Sequence, residues 1–98
     1  MIIYHIVLPE VWVASDGDFY EAASLADDGF IHCSYAGQVD AVLQRYYNGA
    51  GRVLILEIDM DLLTSELREE PSTNNEVYPH IYGPINRDAV VGVTERKI

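Results

Sequence analysis

The chain has 98 residues, 49% of them hydrophobic, with sixteen acidic and six basic side chains and a formal net charge of −10. This length makes one domain, residues 1–98, able to bury roughly two-thirds of its unfolded surface without cross-links. The charge excludes nucleic acid and anionic membranes as expected partners. Affinity for either rests on cations facing phosphates, and Arg45, Arg52, Arg68, Arg87, Arg96 and Lys97 form no basic patch.

Taken in order, the chain opens on the apolar run Ile2–Leu8, which alternates as a strand with Ile3, His5 and Val7 on one face and Ile2, Tyr4, Ile6 and Leu8 on the other. The run is short, lacks a basic flank and is interrupted by His5, so neither a signal peptide nor a membrane span is expected. Pro9 suits a first helical turn, and "PEVWVA" reads as a short helix ended by "SDGD". The stretch from Phe19 to Asp28 fits helix and strand equally. "GFIHCS", Gly29 to Ser34, is a short strand holding the only cysteine, Cys33, so there is no disulfide framework and a soluble protein of the reducing cytoplasm is expected.

Ser34 is placed to cap a helix over Ala36–Tyr47, whose Val39, Val42, Leu43 and Tyr46 recur at helical spacing before Asn48 and Gly49. "RVLILEID", Arg52 to Asp59, is almost continuously apolar, the pattern of a central strand covered on both faces. Asp59 or Asp61 can then cap a short helix through Leu63 and Leu67 to Glu70, stopped by Pro71. "PSTNNEV" is a loop by composition. "YPHIYGPI" carries two prolines and a glycine, which points to an edge strand or an ordered loop rather than a central strand. Ala89–Glu95 closes the chain as a strand. The fold class is α+β, a small and mainly antiparallel split sheet with short helices.

The three histidines, His5, His32 and His80, each sit among apolar residues of an extended segment. Partial desolvation there favours the neutral imidazole, which can serve as general base, hydrogen-bond partner or ligand. A lone histidine in a strand is most often a satisfied core residue, and for His5 alone that reading suffices. His32 and His80 together would leave several buried polar groups to satisfy, each costing about 1–3 kcal/mol if unpaired, so a shared pocket is the simpler account. No metal is expected, since spacings of 27 and 48 residues match no local ligand motif. Cys33 alternates away from His32 and reads as a packed thiol. The glycines of "NGAG" match no phosphate-binding loop.

An opening "IYHI", Trp12 in the next helix, "GFIHCS", "VLILEID", Glu70 and finally "YPHIYGPI" resemble, in the same order, the bacterial family called domain of unknown function 952. The resemblance covers nearly the whole chain and brings no established activity. It implies a fold similar to the ADP-ribosyltransferases, a split pair of small sheets around a nucleotide cleft, with NAD as the cofactor that group would suggest. Within the group, the RNA 2'-phosphotransferases carry histidines on two early strands, to which His5 and His32 are similar. Carried over, His5 would contact a ribose, Tyr20 or Tyr82 would stack on the nicotinamide, and Glu70 would be the late acid.

The chain also departs from that pattern. The stretches "VLPEVW" and "DDGFIHCS" contain none of the arginines that hold phosphates in the phosphotransferases, and Asp27 and Asp28 precede the second motif. This argues against an RNA substrate and leaves a dinucleotide pyrophosphate short of donors. The expectation is a pocket for a nucleotide or other small molecule, with His32, His80 and Glu70 as catalytic candidates and His5, Ser34, Tyr82 and Tyr20 as ligand-binding candidates. The alternative is a non-catalytic module that binds a small molecule or a peptide.

Overall fold

Eight strands and three short helices make up the computed structural model, which describes residues 1–98. The strands are β1 (Ile2–Val7), β2 (Phe19–Tyr20), β3 (Ile31–His32), β4 (Arg52–Asp59), β5 (Glu66–Pro71), β6 (Val77–Tyr82), β7 (Ile85–Asn86) and β8 (Val90–Lys97). The helices are α1 (Pro9–Ala14), α2 (Ala23–Asp28) and α3 (Val39–Tyr46). All pairing is antiparallel, in sheets of order β1-β4-β8 and β3-β6-β5 and a small β2-β7 pair. The class is α+β, as the mixture of short elements implies.

β4 shows why its apolar run is unbroken. Leu56 and Ile58 point into one core with Ile3, Val7, Tyr20, Ile31, Ile81 and Ile85, while Val53 and Ile55 point the other way, onto Ile6, Val39 and Leu43. The first sheet is therefore covered by α3 on one face and by the second sheet on the other. The second sheet uses only one face for the core, through Ile31, Cys33 and Ile81, and its other face carries Phe30, His32, His80 and Tyr82.

The two sheets touch at one bridge, where Tyr4 N–H donates to Ser34 O at 2.8 Å and Ser34 N–H donates to Tyr4 O at 2.7 Å. Ser34 is thus a backbone link between sheets and not a helix cap. The helical segment after it starts as a 3-10 turn at Ala36–Gln38, where the Gln38 side chain accepts from Tyr35 N–H at 3.0 Å.

Two further expectations are corrected. The segment leading to Glu70 is not a helix: after a 3-10 turn at Met60–Leu62, in which Asp59 accepts from Asp61 N–H, residues 66–71 run as β5 against β6. Its charged side chains alternate outward and only Leu67 packs on the core, so the segment draws its conformation from β6. "YPHIYG" is the central strand of its sheet and not an edge or loop. Pro79 is tolerated because its position faces the end of β3, where its carbonyl accepts from Cys33 N–H at 3.1 Å and the chain then leaves toward β1. No helix is long and apolar enough to cross a membrane.

Candidate functional site

Local pairing places the three histidines. Because Cys33 N–H bonds to β6, the backbone of His32 faces the opposite edge, toward β1. There His5 Nδ1 lies 2.7 Å from His32 O and His5 Nε2 lies 3.1 Å from Tyr20 Oη. A carbonyl only accepts, so Nδ1 carries the proton and Nε2 accepts from the phenol. Burial lowers the His5 pKa to about 4 and raises that of Tyr20 to about 12, so both remain neutral through the physiological range. Behind Tyr20, the Trp12 ring packs at 5.5 Å and the Arg87 guanidinium covers Trp12 at 4.4 Å while donating to Ser15 Oγ at 2.6 Å. His5 is a fixed strut between the sheets.

His80 has a different setting. It stands directly opposite His32 across β3 and β6, with ring centroids 5.6 Å apart, and Phe30 stacks on it at 4.1 Å. Glu70 Oε1 accepts from His80 Nδ1 at 2.9 Å and from Tyr82 Oη at 2.5 Å. The Tyr82 and His80 hydrogen bonds hold the Glu70 pKa below the usual carboxylate range, and the Glu70 hydrogen bond raises that of Tyr82. An ionised Glu70 accepts at Nδ1–H, so neutral His80 keeps its lone pair on Nε2. The His80 side chain is only 5% exposed.

His32 Nε2 likewise meets a carboxylate, Asp28 Oδ2, at 2.9 Å, but its side chain is 54% exposed, contrary to the desolvated position expected from the sequence. The reason is that β3 is two residues long and its outer face has no covering element. Gly29, with φ of 87° at the end of α2, turns the chain so that Asp28 and His32 face each other.

These residues border a cleft of about 580 Å³ between β1, α3, β6 and the segment 20–24. His5, His32 and His80 all line it, with Ser34 and Tyr20. Tyr82 and Glu70 do not; they lie on the outer face of β5-β6 and reach the cleft only through His80. Sequence reasoning missed Tyr78, Arg45, Tyr46, Tyr47 and Thr73, which form the other end of the cleft. The alternation of "YPHIY" was a usable signal for Tyr78, since it shares a strand face with His80. Cys33 also borders the cleft, but its thiol is 3% exposed and burial raises its pKa, which leaves it a weak nucleophile. No three His, Cys, Asp or Glu side chains are grouped so as to hold a metal ion.

The family described as protein of unknown function (DUF952) matches residues 6–93. The chain belongs to this family. Among solved structures it is similar to protein CC0527 from Caulobacter crescentus. In the crystal structure that protein is 27% identical over 97% of this chain and 85% of that one, with a TM-score of 0.86. In the solution NMR structure the identity is again 27%, the coverage 99% and 84%, and the TM-score 0.77. No curated protein matches the chain.

Proposed function

We propose that the cleft is the active site, present or ancestral, of an enzyme acting on a small molecule, with His80 as general base and Glu70 as its positioning carboxylate. One observation carries this reading: Glu70 holds the buried His80 ring by Nδ1, which fixes the tautomer with a basic Nε2 in a residue that lines the cleft. A proton taken at Nε2 creates an imidazolium beside an ionised Glu70, so the positive charge is stabilised where it forms. His32, held by Asp28 and opposite His80, is placed to return a proton from the other side. His5 and Tyr20 form the neutral floor, and Ser34 fixes the join between the sheets.

An ADP-ribosyltransferase-like fold is supported by the split pair of sheets around the cleft, and a nucleotide by the aromatic lining. NAD itself fits poorly. Its pyrophosphate would meet a single lining guanidinium, Arg45, and no glycine-rich loop. A non-catalytic binding module is the second reading, favoured by the twelve hydrophobic residues among the twenty that line the cleft.

A thermal-shift screen over nucleotides and common metabolites, followed by turnover assays on each compound that stabilises the protein, separates the two readings. The expected result is a compound that binds wild type and His80→Gln alike and is turned over roughly a hundredfold more slowly by the variant. Binding without turnover returns the cleft to a binding module. Compounds that stabilise the protein without moving the His80 imidazole resonances would remove the cleft as the site.

A further inference from the structure

The chain is strongly acidic, yet its cleft is not. Sixteen of 98 residues are Asp or Glu, so twenty residues drawn at random would include about three, and the twenty that line the cleft include none. The one formal charge among them is Arg45. Arg52, Arg68 and Arg96 are each paired with a carboxylate, Glu95, Glu66 and Asp40. Arg87 is spent on Trp12 and Ser15. Arg45 has no carboxylate within ion-pair distance, and its polar neighbours are the phenols of Tyr78, which donates to Glu76 Oε2 at 3.1 Å, and Tyr46. Tyr46 Oη lies 3.4 Å from Thr73 Oγ1, which draws the end of α3 toward the loop before β6 and adds hydroxyl donors near the guanidinium.

We infer that the cleft takes a small organic anion, with its carboxylate or phosphate held at Arg45 and the Tyr46–Thr73 hydroxyls and its apolar or aromatic body extending toward His80. The inference rests on reading the cleft as the ligand site and adds the substrate class. The cleft suits such a body, since Val7, Leu8, Val11 and Val42 are among its lining residues. Tyr78 stands two residues before His80 on the same face of β6, so the anion end and the imidazole are roughly 7 Å apart along the strand. That spacing matches a single-ring molecule bearing one anionic group. No carboxylate is among the lining residues, and Glu70, Asp28 and Glu76 stand behind them, bonded to His80, His32 and Tyr78, so the Arg45 end admits an anion where the remaining surface repels it.

The test uses the intact chain and four single-ring probes: phenyl phosphate, benzoate, benzyl alcohol and benzylamine. Titrations are followed by amide NMR at low ionic strength. The expected result is that one or both anions shift the Tyr46, Thr73 and Tyr78 resonances and bind at least tenfold more tightly than the alcohol and the amine. Added salt should weaken the anions and leave benzyl alcohol unchanged. Arg45→Gln, an exposed substitution, should weaken anion binding at least tenfold and leave benzyl alcohol unchanged, while Arg52→Gln should change neither. The stronger of the two anions identifies phosphate or carboxylate as the preferred group. Equal binding of alcohol and anions, or equal losses in Arg45→Gln and Arg52→Gln, would overturn the inference. Anion binding that persists in His80→Gln while no anion is turned over by wild type would end the catalytic reading alone. Turnover confined to neutral compounds would end only this one.

Discussion

His5 and His80 sit in comparable strands, are almost equally buried, and have opposite chemical prospects. His5 spends both ring nitrogens on neutral groups, a carbonyl and a phenol, and burial removes its affinity for protons. His80 spends one nitrogen on a carboxylate and turns its ring toward a cleft. What separates a strut from a candidate base is therefore the identity of the partner at Nδ1 and the freedom of Nε2, and neither burial nor strand position decides it.

The largest expected effect that breaks this contrast is His5→Ala. It strips partners from Tyr20 Oη and His32 O and opens a gap between the sheets, so a loss of about 3 kcal/mol is expected in urea unfolding. A loss under about 1 kcal/mol would mean that the strut is dispensable.

The pH dependence comes next and has a definite sign. Unfolded, the imidazole titrates at its ordinary value of about 6.5, and burial in the folded protein lowers this to about 4. Between these values the unfolded chain binds more protons. The contribution of neutral His5 is thus complete above pH 6.5 and is lost as pH falls toward 4, reaching about 3 kcal/mol in total. In His5→Gln, unfolding free energy between pH 7 and 4.5 should vary less than in wild type. Identical slopes in the two proteins would assign the acid sensitivity elsewhere.

Tyr20→Phe should cost about 1–2 kcal/mol and raise the His5 pKa, because the lone pair on Nε2 loses its donor. Imidazole nitrogen shifts followed against pH measure this, and an unmoved pKa would show that burial acts alone. The smallest effect is expected at Glu70→Gln. Its side-chain oxygen can still accept from His80 and Tyr82, so stability should change by less than about 1 kcal/mol. The loss of the negative charge should instead lower the Tyr82 pKa, which the Glu70 hydrogen bond raises, and a Tyr82 titration that is the same in both proteins would deny the Glu70 contact its role.

Elements whose conformation follows from their own periodicity were readable from the sequence: β1, α1, α3, β4 and β8 all occur where alternation or helical spacing puts them. β5 was not, because its four charged positions carry no inward pattern beyond Leu67 and its partner strand supplies the conformation. β6 was misplaced by a sound rule about proline that fails where a neighbouring strand ends. For the site, the grouping of His5, His32 and His80 followed from their shared strand context. The exposure of His32 did not, since it depends on how short β3 is. Arg45, Tyr46 and Thr73 carried no motif and became visible only when α3 and the loop before β6 were brought together.

Cys33 gives the molecule a built-in reporter. It is the only thiol, nearly inaccessible, with a pKa raised by burial, and its own N–H closes onto Pro79 beside His80. The thiol borders the cleft yet is almost inaccessible, so a thiol reagent reaches it only when the packing of that wall loosens. Its labelling rate at mildly alkaline pH therefore counts openings of that wall, and a molecule seated against His80 should register as a slower count.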